Sequence, residues 1–291
     1  MKKWMTVFVL LALSSCEKDI NFKLNEPATA LVVDAQIEND QPPFVVLTKS
    51  FSFFANINPQ LLDSSFIHGA DVYVSNGTLI QKLKEYKYSL ATGYNSYYYS
   101  TDSSNLTTAF KGAFKGRYTL KIVSGGKEYN SSVGIPALAI FPDSVFYKFS
   151  TDNDRPNKRL LFIRAKDPPG LGNYVRYFTK RNDEPFLPGP NSVYDDQVID
   201  GSTYTVELPA GIDRNSNIKS DSNYLRKGDL VTLKFCNIEK PVYTFWSTWE
   251  FAYQSIGNPF AQPNKVIGNI SNGALGVFCG YACFYDTQFL Q

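Results

Sequence analysis

The side chains able to do chemistry are few and scattered. His68 is the only histidine in 291 residues. An imidazole can serve as a general base, but no Gly-x-Ser-x-Gly elbow accompanies this one. It opens a stretch that alternates like a strand, so a strand-edge histidine without a catalytic role is expected. Two sets of carboxylates carry weaker signals. Asp213, Asn215, Asn217 and Asp221 stand at the first, third, fifth and ninth positions of a calcium-loop pattern, where oxygen ligands converge on a hard cation. Ile218 occupies the position that needs glycine and Tyr224 the position of the closing glutamate, so a solvated loop is expected instead. Asp195-Asp196 offers one half of an acid/base pair of the kind used in glycoside hydrolysis. No partner is recognisable, and the pair reads as a surface turn. Gly170-Leu171-Gly172 lacks the Walker pattern and a following helix. No catalytic residue, cofactor or metal site is expected from this inventory.

The aromatic run Tyr94 to Tyr99 could offer platforms for sugars or for a protein partner. Alternation along a strand puts Tyr97 and Tyr99 on one face and Tyr94 and Tyr98 on the other, and one of those faces is expected to be core.

Cysteine usage fixes the compartment. Lys2 and Lys3 begin the chain, and Trp4 to Leu13 form an apolar block of about ten residues, half of the roughly 20 that a membrane-spanning helix needs. The block has the size of a signal-peptide core. It ends in Leu13-Ser14-Ser15-Cys16, which resembles the bacterial lipobox, in which the cysteine is acylated and becomes the new N-terminus. Several acyl chains hold a protein stably to a membrane where one holds it only marginally. Cys16 is therefore expected to be a lipid anchor. An exported chain meets an oxidising compartment, so Cys236, Cys279 and Cys283 allow one disulfide and one thiol. In a straight strand Cys279 and Cys283 would be about 13 Å apart, beyond bridging range, and joining them needs a turn or bulge at Gly280. Cys236 needs only a neighbouring strand to reach either one, and buried thiols acting as small hydrophobes remain the alternative.

Without Lys2 and Lys3 the formal charge falls from +2 to 0, which removes any electrostatic argument for nucleic acid. Tyr and Phe are abundant, with 19 and 22 residues against 2 Met, and turn residues interrupt the chain often. The pattern predicts a mainly β protein. Residues 1–15 are read as the signal peptide and 16–28 as anchor and tether. An immunoglobulin-like or transthyretin-like β-sandwich is predicted over 29–135, with hairpin signals at Asn76-Gly77 and Gly125-Gly126. A second β-rich domain is predicted over 136–291, with one amphipathic helix near 241–256. Its apolar face is Val242, Phe245, Trp246, Trp249, Ala252, Tyr253 and Ile256. The run Gly273 to Phe289 reads as a buried strand.

Several segments, taken in order, resemble one Bacteroidota lipoprotein family, catalogued as domain of unknown function 4249. They are "CEKDI", "LVVDAQI" with "PPFVVLTKS", "GADVYVSNG", "KDPPGLGNYVRY", "YTFW", and the closing "NPFAQPNKVIGNISNGALGVF". The resemblance implies an outer-membrane lipoprotein, often encoded beside a TonB-dependent receptor, with no catalytic residues to transfer. Cys16-Glu17-Lys18-Asp19 also resembles part of a surface-export signal of that phylum, and Ile20 departs from it where a second acid belongs. Surface display is thus expected, with the periplasm-facing leaflet as the alternative. Asp143-Ser144-Val145 resembles an O-glycosylation signal of the same phylum, but its place at a strand start argues against modification. The function expected is a non-enzymatic binding or accessory lipoprotein working with a TonB-dependent transporter. A carbohydrate-binding or glycan-processing surface protein, using the tyrosines and Asp195 or Asp196, is one alternative, and a structural envelope protein is another.

Overall fold

A computed structural model describes residues 29–51, 58–89, 95–214, 224–258, 260–262 and 264–291. The protein is mainly β, as its composition predicts, with fifteen strands and two helices among these residues. Cys16 and the tether lie outside them, as do Tyr94 and, in the calcium-loop pattern, Asn215, Asn217 and Asp221.

The N-terminal half begins with β1 (Leu31–Glu38) and β2 (Phe44–Lys49), an antiparallel pair. Helix α1 (Pro59–Ser65) follows, capped by the Asn58 side chain accepting from the Leu61 amide at 2.8 Å. Next come β3 (Asp71–Ser75), β4 (Ile80–Ser89), β5 (Asn95–Thr101), β6 (Arg117–Ser124) and β7 (Lys127–Gly134). Both expected hairpins form: β3 pairs β4 around Asn76-Gly77, and β6 pairs β7 around Gly125-Gly126. The two central glycines of the second have φ of 55° and 74°, the left-handed pair that a tight two-residue hairpin turn requires. Strand β4 serves two neighbours: Ile80 to Lys82 pair with β3, and Leu83 to Ser89 pair with β5.

The C-terminal half supplies β8 (Pro142–Phe149), β9 (Lys158–Lys166), β10 (Tyr174–Arg181), β11 (Leu187–Asp195), β12 (Thr203–Glu207), β13 (Leu225–Arg226) and β14 (Leu230–Ile238). Helix α2 (Lys240–Gln254) and the long β15 (Leu275–Phe289) complete it. One sheet runs in the order β11-β10-β14-β15-β1-β2-β5-β4-β3-β6-β7, and a smaller one joins β8, β9, β12 and β13.

This topology corrects the expected division at residue 135. Strand β15 pairs in parallel with β1, Val32 opposite Leu275 through Glu38 opposite Tyr281, so a single sheet crosses both halves. One apolar cluster likewise joins Val33, Leu47, Val72 and Ile122 of the first half to Cys236, Phe245 and Phe278 of the second. Contact there is close: a Cβ at Gly280 on β15 would collide with the carbonyl of Gly134 at the end of β7. A second core, built around Ile163, Leu161, Tyr177, Leu233 and Phe235, lies wholly within the C-terminal half, between the small sheet and one face of β10 and β14. The second half therefore has a core of its own, whereas the first half shares its core with β15 and α2.

Helix α2 forms where the spacing predicts, with Pro241 in its first turn. It ends at Gln254, and Ile256, expected on the apolar face, is 77% exposed. Val242 and Phe245 are buried, Trp246 and Trp249 pack on the first core, and the third buried position is Glu250.

Candidate functional site

The cysteines resolve first. Cys236 on β14 and Cys283 on β15 are register partners and form a disulfide. Cys279 is a free, buried thiol. Burial pushes it up to about 11, and the Trp246 indole donates to its sulfur at 3.4 Å. Such a thiol stays protonated and is a poor nucleophile.

His68 faces Glu85, Nδ1 to Oε1 at 2.5 Å, and its ring stands edge-on to Tyr97. Glu85 also accepts from the Gly69 amide and the Tyr99 hydroxyl. Burial pulls the Glu85 carboxyl upward, but hydrogen bonds from His68, Gly69 and Tyr99 outweigh it and hold the carboxyl below its ordinary value. The imidazole is thus tied into the joint between β4, β5 and the segment before β3. The tyrosine stripe serves the same joint. Tyr99 is buried, donates to the Ile67 carbonyl at 2.8 Å, and is pushed up to about 12 chiefly by burial. Tyr98 stacks between Phe44 and Tyr86, with ring centres 4.9 and 5.6 Å away. Ser144 is exposed on β8, beside the irregularity between Pro142 and Ser144.

The most site-like geometry lies at the end of β11. A cavity of about 470 Å³ opens between the small sheet and the β10–β11–β14 face. Its floor is apolar: Ile140, Ile163, Val175, Val206, Leu208 and Phe235. Its rim carries Asn173, Tyr194, Asp195, Asp196, Tyr204 and Tyr243. A pocket of this size, mostly apolar with a few convergent polar groups, suits a small ligand or a partner's side chain. The Tyr243 hydroxyl, reaching over from α2, donates to Asp195 Oδ2 at 3.0 Å. Burial and then the Asp195 carboxylate push Tyr243 up to about 12, and burial, with Asp167 adding, does the same to Tyr204. Both phenols are therefore neutral hydrogen-bonding groups at physiological pH.

Asp196 corrects the surface-turn expectation, being only 2% exposed. Its Oδ2 accepts from the amides of Gly172 and Asn173, both at 2.8 Å, and from the Asn173 side chain at 3.1 Å. The Pro168-Pro169-Gly170 turn is thereby locked to the end of β11. Asp200 Oδ1 accepts from the Gly170 amide at 2.6 Å, and Asp167 Oδ2 from the Gly201 amide at 3.1 Å. The fold thus brings together three aspartates that are distant or uncued in sequence: one oxygen from each of Asp167, Asp196 and Asp200 lies within 4.8 Å of the others. Burial raises the Asp167 carboxyl, the Gly201 amide opposes this, and the charges of Asp196 and Asp200 add to the rise. Among the described residues this is the one arrangement of carboxylates, histidines and cysteines close enough to hold a metal ion.

The helix side of the large sheet carries a second polar arrangement. Arg176 donates to the Tyr281 hydroxyl at 2.8 Å and to Ser192 Oγ at 3.2 Å, and its guanidinium lies 3.4 Å from the Trp246 ring centre. Glu250 bonds Ser192 and Arg214. These bonds fasten α2 to β10, β11 and β15, while Arg214 Nε, also buried, has no hydrogen-bond partner among the described residues.

No protein-family model matches the chain, and a search of curated proteins finds no match either. Among the described residues no helix is long and apolar enough to cross a membrane.

Proposed function

We propose that this chain is an outer-membrane lipoprotein of the family it resembles, anchored through acylated Cys16. Its folded part is a non-enzymatic binding or accessory component of a TonB-dependent transporter. The observation that carries the reading is the apolar block closing in Leu13-Ser14-Ser15-Cys16, with Glu17, Lys18 and Asp19 directly after it. The pocket at the end of β11 supports binding over catalysis. Its two carboxylates are engaged as structural acceptors, Asp195 by Tyr243 and Asp196 by three donors of the Gly172-Asn173 turn. A general acid or base needs its proton free to exchange with a substrate.

The glycan reading draws less support, because Tyr99 is buried and Tyr98 is sandwiched by protein rings, which removes two of the proposed platforms.

Two measurements test the proposal. Radiolabelled palmitate should enter the wild-type chain and be lost in Cys16→Ala, with that variant leaving the membrane fraction. Tagged protein extracted in mild detergent should bring down a TonB-dependent receptor. Unlabelled wild type would remove the anchor, and repeated extraction without any such receptor would remove the partner.

A further inference from the structure

The aspartate cluster is left unused by that reading. Asp167 is fully buried, yet its Oδ1 has no hydrogen-bond partner among the described residues. A buried carboxylate oxygen without a donor is costly, and native structures rarely leave one so. Asp196, also buried, and the exposed Asp200 add two more carboxylates within 4.8 Å, and like charges at that range repel one another. The clustering and the orphan oxygen are separate observations, and a bound cation answers both.

We propose that Asp167, Asp196 and Asp200 bind a calcium ion. The donor set is all oxygen, which selects hard cations over zinc or copper. Calcium accepts a variable number of oxygen ligands in flexible geometry, whereas magnesium demands near-ideal octahedral geometry, dehydrates reluctantly and keeps several of its waters. The backbone is arranged to hold the carboxylates in place: the Gly170, Gly172 and Asn173 amides fix Asp200 and Asp196, and the Gly201 amide fixes Asp167. With three protein carboxylates and water completing the shell, affinity belongs to the weak extracellular class, on the order of 10⁻⁴ to 10⁻³ M. The ion clamps the turn after β9 to the loop between β11 and β12, which forms part of the pocket rim. This site is distinct from the Asp213–Tyr224 pattern in sequence.

The test uses the full lipidated chain in detergent, stripped with chelator and titrated with calcium chloride by calorimetry and thermal unfolding. One site per chain is expected, with the melting temperature rising by several degrees at about 10 mM calcium and magnesium binding at least tenfold more weakly. Asp200→Asn, which keeps an acceptor for the Gly170 amide, should weaken calcium at least tenfold while preserving the near-ultraviolet circular dichroism of the stripped protein. Asp167→Asn should abolish the calcium-dependent shift. No heat and no shift in the wild type would overturn the proposal. So would wild-type affinity in both variants, or a site lost only in Asp221→Asn. A wild type indifferent to calcium alongside a more stable Asp167→Asn would assign Asp167 a proton instead. The anchor and partner reading is independent, since failed co-purification leaves these results unchanged.

Discussion

Glu250 on helix α2 accepts hydrogen bonds from both the amide and the hydroxyl of Ser192 on β11, at 3.0 and 2.5 Å. It also pairs with Arg214 at 3.2 Å, and the two side chains are 5% and 9% exposed. A charge so enclosed is tolerable only while its partner stays. Glu250→Ala should cost about 3–5 kcal/mol by urea unfolding, because it strands Arg214 and two donors of Ser192. Adding Arg214→Met should recover part of that loss. Additive losses in the double variant would show the pair to be uncoupled.

The disulfide gives a second expectation. Linking Cys236 to Cys283 closes a loop with a sequence separation of 47, for which chain entropy suggests about 4 kcal/mol and measured bridges commonly give about 2–4. Cys236→Ser with Cys283→Ser should destabilise by that amount. In the native protein a thiol reagent at pH 8 should leave Cys279 unmodified, because the thiol is buried and pushed up to about 11. In a Cys16→Ala chain, one equivalent should react once the protein is unfolded. Rapid native labelling would contradict the packing of β15 under Trp246.

Lys234 and Glu38 form a second enclosed ion pair, side chains 11% and 7% exposed, joined by the Tyr285 hydroxyl. The ammonium is ringed by Phe178, Phe186, Tyr281 and Tyr285, each centre 5.4–5.9 Å away. These rings partly offset the lost hydration of the cation. Glu38→Ala should therefore cost somewhat less than the about 3–5 kcal/mol usual for halving a buried pair. Lys234→Met in the same background should restore most of it, measured by denaturant midpoint.

Glu85 sets a pH dependence. Its folded carboxyl is held below the ordinary value of 4.5, despite burial, by His68, Gly69 and Tyr99. A depressed carboxyl contributes stability that is fully present above the unfolded value and is lost as pH falls through the folded one. The stability gap between wild type and Glu85→Gln should hence shrink as pH falls below about 4.5. A gap that widens on acidification would reverse the sign.

Local features were legible because neighbours in sequence decide them. Asn76-Gly77 and Gly125-Gly126 announce hairpins, and the spacing from Val242 to Trp249 announces α2. What escaped depends on distant pairings. Nothing near Leu275 indicates that its strand lies parallel to β1, and that pairing undoes the boundary at 135. Glu250 lies beside the apolar face without a local signal, because its partners, Ser192 and Arg214, are 58 and 36 residues away. For the same reason Asp195-Asp196 looked like a turn without a partner. Asp167 is 29 residues from Asp196, and only the "DPPG" bend before β10 hints that the chain turns sharply there.

The parallel pairing of β15 with β1 governs the order in which the protein can be assembled. Strand β1 is the first of the described strands to be synthesised, but its neighbour on one side is made more than 230 residues later. Closing so long a loop is slow, and until it closes the β1 edge remains an open template for wrong partners. The nascent chain must therefore be kept from aggregating through Phe289. An internal cut before Leu275 would leave an unfinished sheet, not a smaller working protein.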